Sequence, residues 1–215
     1  MGVTTVEKAS EGLWRRLNFF GVLAGILTFL LPFSGAWWHL TLGTDGGIFS
    51  ILASPFEFKF LIFNKQISTA EAVRFSPLLW WLCLAFKLCY AYFGAALLAG
   101  SLLSLSEKHA ESAETLVRYS ALKLLWLVVA FVVVLFIATF LVNSATQLMS
   151  GALIDFSMPH IVGTGKFAMS SGNFHISAPI NVGFTSTFAV AIIASALGIA
   201  SRIYQKRISS VLKRA

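Results

Sequence analysis

A single lysine, Lys87, interrupts the apolar segment 78–103, LLWWLCLAFKLCYAYFGAALLAGSLL. An ionisable side chain inside a membrane segment indicates a functional site whose partner has to be identified. The apolar segments hold no Asp or Glu, and the best polar partners are Asn143 and Gln147. Because pumps and coupled transporters need a chain of titratable groups, we predict that Lys87 snorkels or donates a hydrogen bond between helices. A small transporter or channel that uses Lys87 is the alternative.

Three histidines, His39, His160 and His175, lie in the polar segments between the apolar ones. Imidazoles are common ligands of zinc and copper. No two of these histidines stand two or four residues apart, the spacings that place both rings on one face of a strand or helix. We therefore predict no metal site. The second alternative function, in which these histidines would bind a metal, is an extracytoplasmic metal-binding subunit of a redox or oxidase complex.

Catalytic signatures are absent from the sequence. It contains no Gly-x-Ser-x-Gly, no His-Glu-x-x-His, no phosphate-binding loop and no dinucleotide-binding glycine pattern after a strand. It also has no basic stripe interleaved with exposed aromatic residues, which nucleic-acid binding favours. We predict no enzymatic activity, no catalytic residue, no cofactor and no nucleic-acid partner.

The composition predicts an integral membrane protein, with the lipid bilayer as its first partner. Of 215 residues, 57% are hydrophobic and 12% are charged, and the mean hydropathy is +0.81. Soluble domains carry about twice that charged fraction. Four segments, 17–33, 77–103, 124–150 and 182–201, are long enough to cross about 30 Å of hydrocarbon as helices. We predict a bundle of four transmembrane helices.

The basic residues predict the orientation in the cell membrane. The tails 1–16 and 202–215 and the connection 104–123 hold eleven Lys and Arg, whereas 34–76 and 151–181 hold four. The positive-inside rule therefore places both termini in the cytoplasm. The alternative is a cleaved signal peptide, since Arg15-Arg16, an apolar run and Ser34-Gly35-Ala36 resemble one. Its loss would leave three helices.

The three connections predict different structures. Segment 34–76 alternates aromatic and β-branched runs with Gly, Pro and Asn, which predicts a three-stranded meander. Segment 151–181 predicts two or three strands, and because isolated hairpins are marginally stable, both segments should share one extracytoplasmic sheet or sandwich. Segment 104–123 lacks Gly and Pro and predicts a cytoplasmic helical hairpin with a Glu114–Arg118 pair.

Small residues at helical spacing predict which helices pack closely, because close backbone approach drives association in lipid. Three of the four apolar segments contain such spacings, whereas the third consists of Val, Leu, Phe and Ile. We expect the first, second and fourth to pack together and the third to face lipid or another protein. The packing residues predicted are Gly21 and Gly25; Ala91, Ala95 and Ala99; Ala96 and Gly100; Ala191 and Ser195; Ala194 and Gly198.

The layout resembles that of claudin-type four-span proteins, as architecture only. Both have a larger strand-rich first outer segment, a short inner connection and a smaller second outer segment. The claudin hallmark Trp…Gly-Leu-Trp…Cys…Cys is not in the first outer segment, and Gly12–Trp14 lies in the predicted cytoplasmic tail. The sequence therefore predicts a non-enzymatic protein acting by association, as a subunit of a membrane complex or a self-assembling scaffold.

Overall fold

The structure is a computed structural model that describes residues 17–44, 48–63, 65–68, 77–149, 154–171 and 174–212. The chain divides into two compact units. The first, the helical unit, comprises Met1–Phe33, Lys87–Leu127 and Val190–Ala215. The second, the sheet unit, comprises Ser34–Phe86 and Val128–Ala189.

Apolar helices form most of the described chain. Helix α1 spans Phe19–Leu30 and continues as a 3-10 turn over Leu31–Phe33; α2 spans Pro77–Leu103, α3 Ala110–Ala121, α4 Lys123–Met149 and α5 Ser186–Leu212. By length and composition, three stretches could cross a membrane: Trp80–Leu103, Glu111–Thr146 and Ser186–Ile208. Phe19–Phe33 is a shorter apolar helix. The structure thus confirms membrane-type helices but gives three candidate spans of full length among the described residues.

The fourth apolar segment begins as a strand. Strand β7 runs over Phe174–Phe184, and helix α5 begins only at Ser186. Ile180 and Val182 are both buried, so the chain here follows the two-residue period of a strand. The predicted boundary of 182–201 differs from the structure because Val182–Phe184 are bonded into the sheet and the helix extends through the basic residues to Leu212.

The two strand-rich segments form one antiparallel sheet of seven strands, in the order β4-β3-β2-β1-β7-β6-β5. The strands are β1 Trp38–Leu42, β2 Phe49–Ala53, β3 Phe58–Ile62, β4 Lys65–Ser68, β5 Ile154–Ser157, β6 Gly163–Ser171 and β7. Strand β1 joins the segments, since Leu40 pairs with Ile51 of β2 and with Val182 of β7. The first segment has a fourth strand beyond the predicted meander, reached through Phe63 at φ 46°.

The helical connection between α2 and α4 is packed rather than solvated along one face. Ala113, Val117 and Ala121 of α3 recur every four residues and are buried. Val117 and Ala121 belong to one apolar cluster with Ala24 of α1 and Leu97 of α2. Helix α3 is therefore amphipathic, and it stabilises the helical unit by burying this stripe.

The helical pair predicted in α3 is not formed. The structure records one ion pair among the described residues, between Lys59 and Glu57 at 3.4 Å. Glu114 and Arg118 thus form no ion pair with each other or with another described residue, and such an exposed pair would supply little free energy.

Candidate functional site: the exposed apolar face of α4

The part of α4 that belongs to the sheet unit has one buried stripe along its length. Phe131, Leu135 and Thr139 recur every four residues and are all buried. The Phe131 ring lies 5.4 Å from the ring of Trp37, in an edge-to-face arrangement. The stripe fixes which side of α4 is directed inward, because residues four apart share one helix face.

An aromatic cluster around Trp37 anchors this stripe. Trp37 is 0% exposed, and its ring lies 5.6 Å from Phe56 and 5.9 Å from Phe188. Its indole N–H has no hydrogen-bond partner among the described residues. The neighbouring Trp38 is also buried and donates its indole N–H to the carbonyl of Ile161 at 2.9 Å. Both tryptophans serve the core here, although their sequence positions are also typical of an interfacial aromatic belt.

The other sides of α4 form a continuous exposed apolar surface, which we call the α4 face. Its members are side chains between 44% and 62% exposed, without a charge or a polar group: Val129, Val133, Val134, Phe136, Ile137, Phe140 and Leu141. At 1.5 Å per residue the face extends over about 18 Å of helix. Apolar surface of this extent is typical of contact with lipid or with another protein.

Lys87 belongs to the helical unit, whereas its predicted partners Asn143 and Gln147 belong to the sheet unit. Lys87 is half-buried, and the structure records no hydrogen bond or ion pair between it and another described side chain. Asn143 donates its side-chain N–H to the carbonyl of Met158 at 2.8 Å. Gln147 lies in α4, and its side chain is outside the described part. Within the described ranges, the partner of the Asn143 side-chain amide is thus a backbone carbonyl and not Lys87.

The predicted glycines lie at close contacts between helices of the helical unit. A Cβ added at Gly21 would meet the side chains of Ser101 and Ser201, and one at Gly25 would come within 2.6 Å of Leu98. The same holds at Gly100, where the added atom would lie 2.9 Å from Leu116 of α3, and at Gly198, where it would lie 2.8 Å from the Ala121 carbonyl. Helix α3 thus takes part in contacts that the sequence predicted only among the apolar segments.

The predicted alanines fall on different sides of their helices. Ala96, Ala191, Ala194 and Ser195 are buried, whereas Ala95 and Ala99 are exposed and Ala91 is half-buried. Gly94 is not among the predicted packing residues, yet of the glycines in described helices it comes nearest to the backbone of another helix: an added Cβ would lie 2.5 Å from the backbone nitrogen of Phe29. The spacing of the alanines in α2 shows which of them share a helix face. It does not show which face packs against another helix, because several faces of α2 carry small residues.

A buried polar cluster joins α1 to α5. Asn18 caps α1 by accepting the Gly21 N–H at 3.0 Å. Its side-chain nitrogen donates to the Ser201 carbonyl and to the Gln205 side-chain oxygen, each at 3.0 Å. Asn18 and Gln205 are both fully buried. Sequence reasoning missed this cluster, although an Asn directly before an apolar helix is a cap signal.

The three candidate histidines are not gathered into a ligand set. His39 lies in β1 opposite Gly183, His160 lies 5.8 Å from the Phe136 ring, and His175 is exposed in β7. Among the residues described, no three His, Cys, Asp or Glu side chains stand close enough to share a metal ion.

Comparisons with family models, with curated proteins and with solved structures find no match to this chain. The fold and the geometry of the described residues therefore carry the functional argument. The described residues define the class of protein: it is largely helical, with membrane-type apolar helices and one antiparallel sheet.

Proposed function

We propose that the protein is a four-span protein of the cell membrane, with both termini in the cytoplasm, that acts by association rather than by catalysis. The α4 face would pack against an apolar helix of another membrane-protein subunit. The observation that carries this proposal is the asymmetry of α4, which has a narrow buried stripe and a wide, uncharged, exposed surface.

The residues of the α4 face suit protein contact as well as lipid contact. Val129, Val133, Val134 and Ile137 are β-branched. Such side chains hold essentially one χ1 rotamer in a helix, so packing them costs little conformational entropy. A surface that is ordered before it binds loses less free energy on association.

The proposal of four spans with cytoplasmic termini is supported by the charge distribution. Eleven Lys and Arg lie in the tails and in 104–123, against four in the strand-rich segments. This difference fits the positive-inside rule. Adding a short tag at residue 1, at residue 215 or in 69–76, and measuring protease access in sealed vesicles, tests it. Tags at the two ends on opposite sides of the membrane would overturn it.

Association is tested by purifying the full-length protein from its own membranes in mild detergent and measuring the particle mass. We expect a particle that contains a second kind of subunit in addition to the 23.4 kDa chain. A particle built only of copies of this chain would show that the protein associates with itself instead of with a second kind of subunit. A strictly monomeric particle without any co-purifying protein would overturn the proposal.

Ile137→Trp tests the face itself and has a matched control. Ile137 is 50% exposed on α4, and Ile193 is 54% exposed on α5. Tryptophan stays apolar, so lipid accommodates it at either position, whereas a packed protein surface does not. We expect Ile137→Trp to lose the partner and Ile193→Trp to keep it. Equal retention by both variants would exclude the α4 face as the contact.

A further inference from the structure

A cavity of about 270 Å³ in the helical unit lies between α3 and α5. Its wall contains three cationic side chains, one carboxylate and two further residues: Arg118, Arg202, Lys206, Glu114, Val117 and Gln205. Cationic groups from two helices thus surround one space. The volume would hold about nine water molecules, so it fits a compact polar group and not an acyl chain.

The cations around this cavity are available to a ligand. None of Arg118, Arg202 and Lys206 forms an ion pair with a described Asp or Glu. All three are exposed or half-buried, so their charge is not compensated by the protein and their side chains can reorient. Three unpaired cations against one carboxylate leave a net positive site, which favours an anion.

Gln205 supplies a second, independent observation. It is 1% exposed, and its side-chain oxygen accepts from Asn18 at 3.0 Å, which fixes the orientation of the amide. The amide nitrogen is left as a buried donor without a partner among the described residues. A buried donor without an acceptor is costly, and an anionic oxygen in the cavity could satisfy it.

An adjoining groove indicates that the anion belongs to an amphiphile. The groove has a volume of about 640 Å³ and shares Glu114 and Arg118 with the cavity. Its other lining residues are Glu111 and Thr115 on the polar side, the aromatic and apolar Tyr119, Leu122 and Trp126, and Lys123, whose Nζ lies 4.8 Å from the Tyr119 ring centre. Aromatic and apolar groups beside cations are typical of the membrane interface.

We propose that the cavity binds the phosphate group of an anionic phospholipid, with the rest of the lipid along the adjoining groove. Arg118, Arg202 and Lys206 would donate to the phosphate oxygens, in the manner of basic pockets between membrane helices. Glu114 would accept a hydrogen bond from a headgroup hydroxyl. The cavity and the groove share no residue with the α4 face, so the proposal does not depend on the proposed association.

The test is lipid binding to the full-length protein in detergent micelles, measured by native mass spectrometry. Phosphatidylglycerol and phosphatidylcholine with the same acyl chains are titrated separately. We expect phosphatidylglycerol to bind about tenfold more tightly, because both headgroups carry the phosphate but choline adds a positive charge beside three cations and has no hydroxyl to donate to Glu114. Equal affinity for both lipids would overturn the proposal.

Charge-removing variants separate the cavity from the general surface charge. Arg202→Gln and Lys206→Gln should each weaken phosphatidylglycerol binding about tenfold. Lys108→Gln is the matched control, because Lys108 is exposed and lies outside the cavity wall, and it should leave the affinity within about twofold. An equal loss in the control would overturn the site. Inorganic phosphate should not displace the lipid; displacement by phosphate would assign the cavity to a free anion instead.

Discussion

The contact between α1 and α2 at Gly94 gives the sharpest prediction, because two effects of Gly94→Ala on stability have opposite signs. Replacing Gly by Ala inside a helix should stabilise the helix by about 1 kcal/mol from propensity alone. At Gly94, however, the added Cβ would lie 2.5 Å from the backbone nitrogen and 2.7 Å from the Cα of Phe29. Backbone atoms cannot move aside by changing rotamer, so the two helices have to separate.

The magnitude follows from that separation. Ordinary contacts begin at about 3.4 Å, so α1 and α2 would move apart by about 1 Å, which forfeits a large part of the dispersion energy across the contact. Overpacking of this kind costs about 3 kcal/mol at the upper end of its range. After subtracting the propensity gain, we expect Gly94→Ala to destabilise the protein by about 2 kcal/mol, and Gly94→Val by more.

The assay is equilibrium unfolding of the full-length protein in detergent micelles, followed by circular dichroism. Ala95→Val is the matched control, because Ala95 is the next residue in α2 and is exposed. It should change the free energy of unfolding by only about 0.5 kcal/mol. A Gly94→Ala variant that equals or exceeds the wild type in stability would refute the packing argument, since propensity would then outweigh the contact.

Two further predictions concern buried groups. Asn18→Ser keeps a capping oxygen but leaves the acceptors on α5 unpaired, so it should lower the free energy of unfolding by about 1–2 kcal/mol. Asn18→Ala also loses the cap and should lower it by about 1 kcal/mol more. Chemical unfolding measures both variants, and equal stability of the two would contradict the capping role. Trp37→Ala should cost about 3–5 kcal/mol by removing the ring from its aromatic cluster. The stability of Trp37→Phe should lie within about 1 kcal/mol of the wild type, because the loss of ring contacts is offset by removal of the unpaired indole N–H. The shift in thermal midpoint measures both variants, and a loss for Trp37→Phe as large as that for Trp37→Ala would contradict this reasoning.

Much of the secondary structure could be predicted from local signals. Helix α2 was predicted over 77–103 and is observed over Pro77–Leu103, because a long apolar run follows a proline that is well placed to begin a helix. The strands around Leu40, Ile51 and Phe60 follow from alternating side chains between turn residues. These features depend on neighbours within a few residues along the chain.

The candidate sites could be predicted only in part. The uncharged third segment indicated that part of it faces outward, and the exposed residues of α4 fit that interpretation. Gly94 and Asn18 were missed, although both are visible as a small residue and a cap. Nothing local distinguishes them from Ala95 or from other polar residues at helix ends, because burial depends on which helix lies opposite.

The sequence by itself determined that this chain has membrane-type helices and a strand-rich part, since composition and periodicity set the solvent preference of each segment. The tertiary structure decided which of those surfaces meet. The pairing of β1 with β7, the burial of Trp37 and the meeting of Arg118 with Arg202 each join residues far apart in the chain. Such contacts depend on how whole elements pack, and no short stretch of sequence encodes that arrangement.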